Sequence, residues 1–326
     1  MSVESSGPGI NSFYQRYSFY RDSVGLPPAP IDAQLSAAAR LHCIYLVKNH
    51  LSGGDASIVG NHLEPLQPDR SVHTESPGNR YFTAAGANAA GWSFIVRGSI
   101  LPADAAPLVD DAMTMPFGAM WVLNPQVAEL GYGAYCEGKD CASIVTFRMG
   151  LPRAEFIRLF DVPGTFWNPA QGNVSWVREP LRRAIEFPAP DSKIGLTGFS
   201  DLSVPGPITS CPGFGIHAGL PITLQLGAAY TGAPLKAVKA GRVRLLDNGS
   251  PEAACVIDET SFRSSNPLVE RSGRYQLHML GAVIVVPKDS LKAGHQYQVS
   301  IDADGRTFGW RFGVSPIINS PSHKGR

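Results

Sequence analysis

Charge is scarce in this chain. Only 17% of its residues are Asp, Glu, Lys or Arg, and 28 basic against 27 acidic side chains leave a net charge of +1. Nucleic-acid binders carry a strongly basic face, so this balance argues against a nucleic-acid partner. Long apolar runs are also missing. The best, such as Ala282–Val286, are strand-sized, far short of the ~20 residues that cross a bilayer, so no transmembrane segment is expected. Phosphate-cradling motifs are absent as well, since Gly213-Phe214-Gly215 follows Cys-Pro and reads as loop. No G-x-S-x-G elbow exists, and Gly198-Phe199-Ser200-Asp201 is not one. With five cysteines and no CxxC or His/Cys cluster at zinc spacing, no structural metal and no cofactor are expected. Residues Met1–Ile10 lack the charged and apolar regions of a secretory signal, although a chain trimmed of its leader would look the same.

Apolar residues make up 44% of the chain, the reverse of the balance that produces disorder. Its 326 residues are about twice the ~150 that serve as a guide for one domain, which predicts two. The 34 glycines and 27 prolines, together about a fifth of the chain, favour short elements and many turns.

The first part reads as helices followed by strands. Asn11–Ser23 carries Phe13, Tyr14, Tyr17 and Tyr20, and Gly25-Leu26-Pro27-Pro28 stops it. A second helix is predicted over Asp32–Asn49, where Ile31, Leu35, Ala38, His42, Tyr45 and Leu46 form one stripe and Asp32 is placed to cap. Leu51–Asn79 is loop-like. Ala103–Met115 is a third amphipathic segment, ended by Pro116. The period then changes to two, with strands at Leu130–Tyr135 and Ala142–Met149, giving an α+β unit over residues 1–150. Residues 151–192 form a connector with the basic run Arg178–Arg183, read as a solvated face. Beyond it, Ile222–Leu226, Ala240–Leu246, Ala253–Ile257, Gly281–Val286, Gln296–Ile301 and Phe308–Phe312 are strand candidates. Asp247-Asn248-Gly249 and Asp304-Gly305 are the clearest hairpin cues. With no long helix among them, these strands predict an all-β immunoglobulin-like sandwich over 193–326.

Cys136 and Cys141 flank the polar turn Glu137-Gly138-Lys139-Asp140. If the strands on either side pair, the two sulfurs face each other at bridging distance, which favours an oxidising compartment. Two free thiols beside a turn are the alternative. Cys43, Cys211 and Cys255 form an odd remainder whose pairing stays open.

Several segments carry a family likeness. They are Phe19-Tyr20-Arg21-Asp22-Ser23-Val24-Gly25-Leu26-Pro27-Pro28 with Ile31-Asp32, then Leu35-Ser36-Ala37-Ala38-Ala39-Arg40-Leu41-His42-Cys43-Ile44-Tyr45-Leu46. A third is Met115-Pro116-Phe117-Gly118-Ala119-Met120 leading through Leu123-Asn124-Pro125 to Gly131-Tyr132-Gly133. In order and spacing, residues 11–150 resemble the CAP superfamily of cysteine-rich secretory, antigen 5 and pathogenesis-related 1 proteins, in its bacterial extracellular form. Gly219-Leu220-Pro221-Ile222-Thr223 and the stretch from Tyr297 to Phe312 resemble the immunoglobulin-like domains that follow such units.

The resemblance implies a secreted or cell-surface protein with an α-β-α sandwich and a cleft lined by two His and two Glu, able in some members to hold a divalent metal. His73 is the best match for the first histidine. The glutamate of the "GEN" motif falls at Ala87, between Gly86 and Asn88, and the histidine of "SPfHR" falls at Gly118. Asp110 and Asp111 are out of register with the second glutamate. A cation needs several converging ligands, so the cleft is expected to be degenerate and metal-free. A looser set, His50, His62, His73, Glu64 and Glu75, has no tight metal spacing.

His42 is read as a hydrogen-bonded core histidine, and Cys43 as a small buried residue whose side chain diverges from its neighbour by about 100°. The expected function is a non-catalytic extracellular binding or scaffold module for a lipid, glycan or cell-surface ligand. The alternative is a hydrolase of a cell-wall glycan or peptide in which His73 with Glu75 or Glu64 orients a water.

Overall fold

The computed structural model describes residues 9–51, 59–60, 75–91, 93–98, 105–149, 183–199, 207–215, 218–227 and 237–316. The chain mixes helices and strands and divides into two compact units. The first comprises Met1–Gln15, Pro28–Ala106 and Pro125–Glu179, and the second Arg16–Pro27, Pro107–Asn124 and Pro180–Arg326. Two stretches from the first half of the chain therefore group with its C-terminal residues.

In the first unit, helix α2 (Ala33–Lys48) starts where Asp32, in extended backbone, accepts the Leu35 N–H at 2.7 Å. This satisfies one of the donors that every helix leaves orphaned at its start. Of the predicted stripe, Leu35, His42, Tyr45 and Leu46 are buried and Ile31 and Ala38 half-buried, while Ala39 and Cys43, outside the stripe, are buried as well. Four strands form an antiparallel sheet in the order β1-β2-β4-β3, namely β1 (Val59–Gly60), β2 (Ser93–Gly98), β3 (Val127–Glu137) and β4 (Asp140–Met149).

The glycines of Gly131-Tyr132-Gly133 explain how helix and sheet meet. A Cβ on Gly131 would strike the backbone at Leu35 and Ser36, and one on Gly133 the backbone at Ala39 and Arg40. Two glycines two residues apart on β3 thus receive successive turns of α2, since side chains two apart share a strand face and those four apart share a helix face. Tyr132, between them, stacks on Phe13 at 5.3 Å. The β3–β4 hairpin turns through Gly138 (φ 61°), and Cys136 pairs with Cys141 in a disulfide. Helix α3 (Ala84–Gly91) and strand β2 have no counterpart in the sequence reading.

In the second unit, the end of helix α1 (Ile10–Ser23) stops at Gly25 (φ 66°), with the Leu26 N–H bonded to the Arg21 carbonyl, a glycine C-cap. Arg21 is fully buried. Its guanidinium donates to the carbonyls of Pro27, Val122 and Asn124 and lies over the Tyr17 ring. Arg183, read as part of a solvated run, donates to the Val24 carbonyl at 2.7 Å; Arg178 and Arg182 lie outside the described residues. Helices α4 (Ala106–Thr114) and α5 (Pro116–Val122) follow one another. Pro116 both ends α4 and opens α5, because at the first turn its missing N–H costs nothing.

A four-stranded sheet runs β10-β11-β7-β5, from β5 (Ile185–Phe187), β7 (Ile222–Gln225), β10 (Ala254–Ile257) and β11 (Ala282–Pro287). β7 and β11 are buried along their whole length, as strands covered on both faces must be. A five-stranded sheet runs β6-β13-β12-β8-β9, from β6 (Lys193–Ile194), β8 (Ala240–Asp247), β9 (Ser250–Pro251), β12 (Gln296–Ala303) and β13 (Arg306–Val314). Along β12, buried Tyr297, Val299, Ile301 and Ala303 alternate with more exposed residues. Asn248 (φ 46°) with Gly249 (φ 85°), and Asp304 (φ 50°) with Gly305 (φ 70°), make the tight hairpins that their sequence signals predict.

The expectation of strands without a long helix beyond residue 193 is corrected by helix α6 (Pro267–Leu280). Its buried positions Val269, Gly273, Leu277 and Leu280 do follow helical spacing. Gly273, where a Cβ would strike the Phe262 ring, interrupts the apolar signal in the sequence. Phe117, Met120, Phe262, Leu277, Ile284 and Val286 form the core here, beside the Cys211–Cys255 disulfide.

Candidate functional site

Glu75 is the one candidate catalytic residue that the structure describes. His73 lies outside the described residues, as do His62 and Glu64. The Glu75 carboxylate is sealed from solvent and fully engaged. Oε1 lies 2.8 Å from Nδ1 of His42, whose side chain is equally sealed, and Oε2 accepts the Thr83 N–H at 2.8 Å. A carboxylate only accepts, so His42 presents its Nδ1–H to it. The tie joins α2 to the start of α3.

Around it the chain is pinned at several points. Thr83 Oγ1 accepts the Gly86 N–H at 2.9 Å, capping α3 in the ordinary way. A Cβ on Gly86 would strike both Glu75 Oε1 and Thr83 Oγ1, so glycine is what lets the carboxylate sit over the helix start. Tyr45 receives the Ser76 N–H at 3.0 Å and stacks on His42 at 5.9 Å. Asn79 donates to Asn49 Oδ1 at 2.6 Å and accepts the Tyr81 N–H at 2.8 Å. The bonds to His42, Tyr45 and Asn49 tie the segment from Glu75 to Gly86 to α2 and its C-cap, and the bonds Thr83–Gly86 and Asn79–Tyr81 order it internally.

The other positions that the resemblance would assign to a cleft are distributed as follows. Ala87 and Asn88 are half-buried in α3. Gly118 is buried in α5, in the second unit, and a Cβ there would lie 2.5 Å from the Ala112 carbonyl oxygen. A divalent metal does not fit this donor set, because alanine and glycine supply no side-chain ligand and the backbone leaves no room for one at 118. Among the described residues no group of three or more His, Cys, Asp or Glu converges in a metal-binding arrangement.

Two further ionisable groups have settled roles. Asp110 accepts the Tyr20 hydroxyl at 2.6 Å, and burial, reinforced by the Asp110 charge, pushes the Tyr20 hydroxyl pKa well up, so Tyr20 stays a donor. Cys43 is buried and unbridged, with Sγ 3.4 Å from the Gly133 carbonyl oxygen; burial raises its thiol pKa strongly and suppresses the reactive thiolate. No protein-family model matches the chain, and no curated protein matches it.

The sequence singled out Glu75 and His42 separately. Nothing in their spacing pairs them, since they stand 33 positions apart and the fold, not a periodic pattern, brings them together.

Proposed function

We propose that this chain is an extracellular CAP-like binding or scaffold protein, its CAP-like part a degenerate form of that frame and its later part an immunoglobulin-like β-sandwich with α6 inserted between β10 and β11. Its ligand is a lipid, a glycan or a cell-surface protein, held without turnover. Several observations support this reading. The capped helix α2 rests on Gly131 and Gly133 of the motif that carries the resemblance. Two disulfides suit an oxidising compartment. Among the described residues no helix is long and apolar enough to cross a membrane.

The observation that carries the non-catalytic part is the commitment of Glu75. A general base must reach a water or a substrate proton, whereas both oxygens of Glu75 are already spent on His42 and Thr83 in a dry interior. The experiment is a turnover assay on peptidoglycan and peptide substrates, with zinc supplied and withheld, comparing the native chain with His73→Ala. No product above blank is expected from either protein. Turnover that His73→Ala abolishes while the fold survives would overturn the reading in favour of a hydrolase.

A further inference from the structure

The end of α2 and the tip of the β3–β4 hairpin border a surface hollow of about 260 Å³ in the first unit. Val47, Lys48 and His50 line it from the helix side, Glu137 and Asp140 from the hairpin, and Arg80 with Tyr81 from the segment that Asn79 anchors. Lys48 Nζ bonds Glu137 Oε1 at 2.6 Å, so these two charges neutralise each other. Arg80, Asp140 and His50 are less closely matched. Asp140 Oδ2 lies 3.8 Å from His50 Nδ1, too long for a hydrogen bond and an ion pair only when that exposed ring is protonated. Arg80 is exposed and lies 4.6 Å over the Tyr81 ring, with no carboxylate partner among the described residues.

A guanidinium with no carboxylate partner among the described residues and a carboxylate facing only a distant, exposed imidazole complement, on the same small hollow, a ligand that carries both signs. We propose that this hollow binds a small amino-acid-type zwitterion, with Arg80 receiving its carboxylate and Asp140 its ammonium. Charge-assisted hydrogen bonds of this kind are the strong ones, and guanidinium suits a carboxylate by its fork of donors. The volume falls just below the range for drug-sized ligands, about 300 Å³ upward, and suits a single amino acid or a dipeptide. The hairpin disulfide supports the same assignment. Glu137 faces Asp140 directly beside the Cys136–Cys141 pair. A bridge closing so short a loop restricts the unfolded chain less than a long one would, and its local effect is to hold the turn that bears both carboxylates. The site uses neither His42 nor Glu75 and is independent of the CAP-like reading.

Calorimetric titration of the full chain with dialanine, N-acetylalanine, alaninamide and the neutral N-acetylalaninamide tests the assignment, with thermal unfolding reporting that each variant is folded. Dialanine is expected to bind, and each singly charged analogue at least about tenfold more weakly. Arg80→Gln is expected to weaken dialanine and N-acetylalanine but to spare alaninamide, and Asp140→Asn to do the opposite. No heat from millimolar dialanine, equal binding of the neutral analogue, or native affinity in both variants would overturn the proposal.

Discussion

Nδ1 of His42 lies 2.8 Å from Oε1 of Glu75, and neither side chain is exposed to solvent. Removing one member of a buried hydrogen-bonded pair typically costs about 1–3 kcal/mol. Glu75→Ala should therefore lower the unfolding free energy by about 1–3 kcal/mol in urea titrations and loosen α3 most. A loss below about 0.5 kcal/mol, the level of an ordinary surface change, would show that the tie carries no structural weight.

Gly133 receives α2 where a Cβ would strike the backbone of Ala39 and Arg40. Backbone cannot rotate aside as a side chain can, so Gly133→Ala should cost about 1–3 kcal/mol, the range for overpacked cores. Gly78→Ala is the control, because nothing lies within 4 Å of a Cβ there; it should change stability by less than about 0.5 kcal/mol. Equal effects at the two positions in thermal melts would refute the close approach.

Asp247 accepts Lys292 Nζ at 2.8 Å and His295 Nδ1 at 2.6 Å. Burial alone would raise its pKa, but the hydrogen bonds from Lys292 and His295 outweigh it and hold the carboxyl below its ordinary range. A depressed acid stabilises the fold above its unfolded pKa and loses that contribution as pH falls through the folded value. Asp258 shifts the same way: burial would raise it, and bonds from Thr260, Ala240 and Ser261 prevail. Between roughly pH 5 and pH 2, Asp247→Asn should lose less stability than the native chain, because it lacks one of these acid-sensitive contributions. Parallel decline of both proteins in acid melts would contradict the assignment.

The two disulfides should differ in weight. Cys211 and Cys255 are 44 residues apart, Cys136 and Cys141 only 5. On the chain-entropy account these loops correspond to about 4 and about 2 kcal/mol. Serine replacement of the first pair should lower the unfolding free energy by about twice as much as replacement of the second. The reverse order, measured by denaturant titration, would place the hairpin bridge in a global role.

Much of the backbone was legible from the chain, and particular residues show why. Asp32 before an alanine-rich stripe fixes the start of α2, and Asn248-Gly249 and Asp304-Gly305 demand left-handed backbone and so declare their turns. α3 escaped because Ala84–Gly91 is almost wholly alanine and glycine, with no polar face to set a period. α6 escaped because Gly273, chosen to admit the Phe262 ring, sits in its apolar stripe. The candidate site was legible only as separate residues. Glu75 looked like a carboxylate near His73, and the fold gave it to His42 and to the Thr83 N–H instead. Gly118 stands where the resemblance would put a histidine, but the obstacle there, the Ala112 carbonyl, is visible only in three dimensions.

The central claim is that Glu75 holds α3 in place and is not poised for chemistry, and the Thr83 amide proton reports on it directly. Native-state hydrogen exchange should find that proton protected. In Glu75→Ala its exchange should quicken by about ten- to a hundredfold, the equivalent of one hydrogen bond to a charged group, while β3 and β4 amides hold their protection. A Thr83 amide that exchanges at the free-peptide rate in the native chain, unchanged by Glu75→Ala, would contradict the account and return Glu75 to the set of available bases.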